Sequence, residues 1–215
     1  MKNILYKSLP ADRKPHGFQF KLNTWHKTKG ELAICKNGFH ASKNIIDAMC
    51  YVDCGYVAKV EVKGKSIKQY DKECWDEMRV LQWKKWTKKD SVALAIFAAE
   101  LVIDNYEKEY PNDTRPREAI EAAKMVLKSD TTKNRSAAWN AASAANVAWS
   151  ARNATSAAWS AWNAASAANA AWSAACAANA AWSAWNVRNA DESAVDDVDI
   201  LKKCHDFVIK RKGLK

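Results

Sequence analysis

Residues 136–190 contain neither glycine nor proline and only two charged side chains, Arg152 and Arg188, and the stretch 159–186 is written in Ala, Ser, Asn and Trp with a single Cys. Its tryptophans stand at 139, 149, 159, 162, 172, 182 and 185. A shift of 23 residues carries Trp139 onto Trp162 and Trp185, and Asn140 onto Asn163 and Asn186. A true internal repeat of solenoid-like length is the result. On one straight α-helix a ten-residue step advances ~1000°, so each tryptophan lags the one before by about 80° and the indoles point all round the axis. Seven exposed indoles would aggregate, so the segment must be surrounded by protein or folded back on itself.

Two architectures satisfy that condition. Trp-Ser recurs at 149/150, 159/160, 172/173 and 182/183. Ser is a preferred N-cap and Asn tolerates the left-handed conformation that ends a helix, which favours short Ala-rich helices stacked in antiparallel pairs. The alternative is one long helix driven by the propensity of Ala and wrapped by the rest of the chain. Trp serves as core in the simpler case; otherwise Trp139, Trp162 and Trp185 with Asn140, Asn163 and Asn186 form a ladder on which a ligand ring or a partner stacks.

The rest of the chain has a different texture. Residues 1–90 carry 19 Lys/Arg against 10 Asp/Glu, so most of the net charge of +10 lies there. A basic surface of this kind suits an acidic protein or nucleic acid, although no aromatic-plus-basic nucleic-acid motif accompanies it. "NILYKSL" and "YVAKVEVKG" read as strands. In the second, Ala58, Val60 and Val62 alternate with a wet face of Val57, Lys59, Glu61 and Lys63. "KNGFHAS" follows a turn signal and leads into a helix with Ile45, Ile46, Met49 and Val52 at helical spacing. From Trp75 the pattern is taken as helical. Val92, Ala95, Ala99 and Val102 lie on one face of a broad, buried helix. Asn112, Asp113, Thr114 and Pro116 start another, in which Ile120, Ala123, Met125 and Leu127 turn inward. The tail closes with a helix acidic at its start and basic at its end.

The fold expected is therefore an α+β N-terminal domain over 1–74 followed by an all-α, Ala/Trp-rich helical repeat domain over 75–215. No secretory signal pattern and no apolar run of membrane-spanning length is present, so a cytoplasmic protein with no membrane contact is expected. The six cysteines are read as thiols. Cys50 and Cys54, with Cys35 or His40, lack the second paired spacing that a zinc site needs, and no metal or cofactor is expected. No catalytic constellation stands out, and His40 and Ser42, placed between a turn and a helix, are the only weak catalytic candidates. Arg115 and Arg117 oppose the dipole at a helix start, so they either bridge carboxylates or recognise an anion.

Two resemblances add to these readings. "LYKSLPADRKPHGFQF", "CKNGFHASKNIIDAMCYV" and "YVAKVEVKGK" resemble a domain of unknown function widespread in bacteriophage genomes, with the pattern L-Y-K, G-F-x-[YF], C-x-x-G-F-H-A and a V-x-V strand. Asp113, Arg115, Pro116, Arg117, Glu118, Ala119, Ile120, Glu121 and Ala122 are similar to a stretch of all-helical immunity proteins of bacterial polymorphic toxin systems. The resemblances imply a non-enzymatic binding protein that neutralises a bacterial host protein, a defence or toxin component, by protein–protein contact, with oligomers allowed. The alternatives are a binder that sequesters a nucleotide signal between Arg and Trp side chains, an enzyme like the ADP-ribosyltransferases in which His40 and Ser42 hold NAD, and, last, a nucleic-acid binder.

Overall fold

The computed structural model describes residues 3–52, 54–101, 103–141 and 197–214. The repeat lies outside the described residues apart from 136–141, and with it Trp162, Trp185, Asn163, Asn186 and the choice between short helices and a long one. Two compact units are present, Met1–Trp86 with His205–Lys215, and Thr87–Cys204.

In the first unit five strands pair antiparallel: β1 (Asn3–Leu9), β2 (His26–Lys27), β3 (Phe39–Ala41), β4 (Tyr56–Lys68) and β5 (Glu73–Lys85). β4 lies between β1 and β5, while β2 and β3 both pair with β5. The residue after β3 then reaches back to β1. Tyr6 N donates to Ser42 O and Ser42 N to Tyr6 O, each at 2.8 Å, so β1, β4, β5 and β3 close a ring. Leu5, Leu9, Phe39, Val60, Met78 and Val80 belong to the core that these strands supply. The alternation read in β4 holds for Ala58, Val60 and Val62. Its other face is drier than expected, because Val57 is buried and the buried Glu61 accepts from Arg79 Nε at 2.8 Å.

The helix expected from Trp75 onward is a strand as far as Lys85, and helix begins only at Lys88. Inward Met78 and Val80 alternate with Glu77 and Arg79, which face Lys63 and Glu61 across the hairpin. The register with β4 slips between Lys59 and Val60, and this irregularity shifts the phase of β5 and hides its two-residue period. Helix α1 (Ile45–Met49) begins as expected, with the Asn44 side chain accepting from Ile46 N at 2.9 Å, but stops short of Val52. The amide of Ile45 donates to His205 Nδ1 at 3.1 Å, and the His205 ring meets Tyr6 edge-on at 4.8 Å. Residues from the far end of the sequence thereby cap the first helix.

The second unit is helical where described. It contains α2 (Lys88–Glu100), α3 (Ile103–Glu109), α4 (Arg115–Lys128), helical residues 132–141, here α5, and the start of α6 (Asp197–Lys212). A capping box opens α2: Thr87 N donates to Asp90 Oδ2 at 2.8 Å and Asp90 N to Thr87 Oγ1 at 3.3 Å. α2 is buried on nearly all sides and packs against α4, whose inward stripe is Pro116, Ala119, Ile120, Ala123 and Val126. Met125, expected inside, is 51% exposed because it stands off that three-and-four spacing. α6 ends in Lys210, Arg211 and Lys212, as the helix dipole favours. No helix among the described residues is long and apolar enough to cross a membrane.

Candidate functional site

Successive side chains of a strand point to opposite faces, so Lys7 shares the inward face of β1 with Leu5 and Leu9. Its amine donates to the carbonyl of His40 at 2.7 Å and lies 5.9 Å from the centre of the Phe20 ring. Burial pushes this amine down to about 8, opposed by the Cys74 thiol.

The segment carrying that carbonyl is stitched by its own side chains. Asn37 Nδ2 donates to the carbonyls of Lys29 and Glu31, each at 2.8 Å. Cys35 adopts a positive φ of 61°, and its amide donates to His40 Nε2 at 3.0 Å, while the imidazole also hydrogen-bonds the backbone of Gly38. Burial, then Lys7 and Lys72, pushes the His40 imidazole below its usual range, against the Gly38 bond. Gly38 has φ 129°, and a Cβ there would overlap Cys74 Sγ and the Leu32 side chain. Cys74 Sγ donates to Asn37 O and Lys72 Nζ to Cys35 Sγ, both at 3.4 Å. C-x-x-G-F-H-A is thus a clasp: Cys35 turns the chain, Gly38 lets it approach β5, Phe39 and Ala41 enter the core, and His40 ties the ends.

His40 and Ser42 are brought near one another but in separate structural roles. The His40 lone pair at Nε2 is occupied by an amide, and Ser42 is buried in the link that closes the ring. In the second unit, Arg115 grips Asp113 with two bonds of 2.8 and 2.7 Å. Arg117 grips Glu107 at 2.7 and 2.6 Å and reaches Asp104 at 3.1 Å. Both guanidinium forks hold carboxylates of the protein itself, and Glu107, then Asp104, raises the Arg117 pKa. Trp139, 54% exposed, and Asn140 stand at the surface of α5. Cys50 and Cys54 direct their thiols to the carbonyls of Ile46 and Tyr56 rather than to each other.

A second feature lies on the β4–β5 hairpin. The described pairing with β1 reaches Asn3, the first described residue, opposite Val62, and β4 continues to Lys68. Residues 65–68, beyond the reach of the two residues that precede Asn3, have no outer neighbour among the described residues. Lys65 and Lys68 are exposed there, and Ile67 and Tyr70 are exposed with them, Tyr70 by 85%. Four of the acidic side chains nearby have internal partners, whereas Asp76 Oδ1 is buried with no hydrogen bond among the described residues. Glu61 holds Arg79, Glu73 accepts from Trp75 Nε1 at 2.9 Å, Glu77 lies 3.2 Å from both Lys27 and Lys63, and Asp71 binds the Tyr51 hydroxyl.

Lys7, Lys72, Cys74 and this edge are missing from the candidates read in the sequence. A lysine placed between Leu5 and Leu9 on an alternating strand was the signal for the first; the edge depends on strand lengths that only the fold reveals. No curated protein and no solved structure matches the chain. Residues 3–91, which include the ring, the clasp and the whole hairpin, match the model of a family described only as a domain of unknown function (DUF7666), so the N-terminal part carries a domain of unknown function.

Proposed function

We propose that the protein is a non-enzymatic binding protein that acts by protein–protein contact. The observation that carries this is the exposed end of the β4–β5 hairpin, where Tyr51, Ile67 and Tyr70 stand open to solvent beside lysines. Exposed aromatic and apolar side chains among charges are the composition of a contact surface. The groups first considered for chemistry, His40, Arg115 and Arg117, are engaged within the fold. The resemblances to a phage domain and to toxin-immunity proteins make the partner a bacterial defence or toxin component met in the host cytoplasm. In this reading the Ala/Trp-rich segment 136–190 is a helical repeat body, and Trp139 is the first of its outward contacts.

The test is quantitative co-purification of the tagged full chain from bacterial lysate beside a Tyr51→Ala/Tyr70→Ala variant. A stoichiometric protein partner retained by the parent and depleted from the variant supports the reading. Equal recovery by both removes the hairpin end from it, and no stoichiometric partner with the parent refutes it.

A further inference from the structure

The open edge of β4 is more specific than a sticky surface. Four residues, 65–68, at ~3.3 Å each give an edge of about 13 Å, enough for a short added strand. Segment 65–70, "KSIKQY", has two lysines and no acid; of the acids at this end of the neighbouring strand, Glu73 bonds Trp75, Glu77 bridges Lys27 and Lys63, and Asp76 Oδ1 is buried. Gly64, with φ 84°, packs against the Asp76 carboxylate where the register slips between Lys63 and Ser66. Edge lysines and an irregular register discourage pairing with a neutral strand or with a second copy of the same edge. They oppose an acidic strand much less, because its carboxylates meet the lysine side chains on approach, and that difference is a basis for selectivity.

We infer that the Lys65–Lys68 edge of β4 takes up an extended acidic segment of the partner as an added strand, with an apolar or aromatic side chain of that segment lying on Ile67 and Tyr70. The inference rests on the binding-protein reading and names the chemistry of its partner. Backbone hydrogen bonds along the edge provide the attachment, and the lysines together with Ile67 and Tyr70 select the sequence.

The probe is a fluorescein-labelled peptide alternating Glu with Val and Tyr, measured by anisotropy against the full chain. Two controls accompany it: the same peptide with Lys in place of Glu, and the acidic peptide N-methylated at alternate residues so that it cannot pair as a strand. Binding of the acidic peptide alone is expected, weakened at least tenfold by Lys65→Glu/Lys68→Glu and by rising salt, with new amide-exchange protection confined to 65–68. Both lysines are exposed, and an unchanged melting temperature verifies that the variant is folded. Equal binding of the Lys or N-methylated peptide, indifference to the double substitution, absence of binding at millimolar peptide, or a dimer paired through this edge overturns the inference. If the double variant still captures the protein partner of the parent chain, the edge is refuted while the binding-protein reading stands.

Discussion

Replacing Lys7 by Met tests whether the ring is built around an ill-solvated amine. An amine held near 8 instead of the ordinary 10.5 has its charged form disfavoured in the native state by about 3 kcal/mol. Part of the side chain reaches water, and screening reduces the figure to about 1–2 kcal/mol. Met is of similar length and removes this penalty, but it leaves the His40 carbonyl without its 2.7 Å donor, a loss of about 1 kcal/mol. At neutral pH the variant should therefore equal or exceed the parent in stability by up to about 1 kcal/mol. The pH dependence is the sharper signature. Below pH 8 both native and unfolded Lys7 bind the proton and the penalty is fully present. Between about 8 and 10.5 the unfolded chain binds more protons, so the parent gains stability as pH rises. Urea denaturation of both proteins at pH 7 and near pH 9.5, followed by tryptophan fluorescence, should show the variant falling below the parent at the higher pH. A stability difference that does not change with pH refutes a buried, charge-strained Lys7.

Other perturbations test the clasp, the cap and the carboxylate grips. Gly38→Ala combines a disfavoured φ of 129° with overlap on Cys74, and should lower stability by about 3 kcal/mol in chemical denaturation. Burial first of all holds both His40 and His205 below the usual histidine range, so the unfolded chain takes up protons first and stability should drop as pH falls below about 6.5. His205→Gln retains a neutral acceptor for the Ile45 amide and should flatten part of that drop in urea midpoints from pH 7.5 to 5.5. Arg117→Lys gives up the two-pronged grip on Glu107 and should cost about 1 kcal/mol, a loss that shrinks in high salt.

Strand β1 and the first half of β4 are legible because their alternation is intact, α1 because Ile45, Ile46 and Met49 recur at helical spacing, and α4 because the Asp113–Pro116 run marks its start. β5 is obscured. Its register irregularity displaces the alternation, and Trp75 and Trp83 at its ends read equally well as helix. The capping box Thr87–Asp90 was the available sign that helix starts only there. The clasp was illegible for another reason: Asn37 and His40 act on backbone groups of an irregular loop, where neither period nor propensity indicates which carbonyl or amide a side chain will meet. His40 was noticed for its chemistry, while the geometry gives it a structural task. Arg115 and Arg117 are readable in the sequence only as a choice between two uses; in the structure both hold carboxylates, of Asp113 and of Asp104 and Glu107.

The cap that His205 places on Ile45 has a consequence for synthesis. Between Trp86, where the first stretch of the sheet unit ends, and His205 stand the 118 residues Thr87–Cys204. At 5–20 residues per second a ribosome takes about 6–24 s to cross them. Throughout that interval the nascent sheet has its β-strands but not the imidazole that accepts the Ile45 amide, nor the buried Val208 and Leu214. The segment Thr87–Cys204 is thus translated before the sheet unit can finish. A chain interrupted anywhere within it lacks the acceptor for the Ile45 amide and the buried Val208 and Leu214, so its sheet unit is left unfinished.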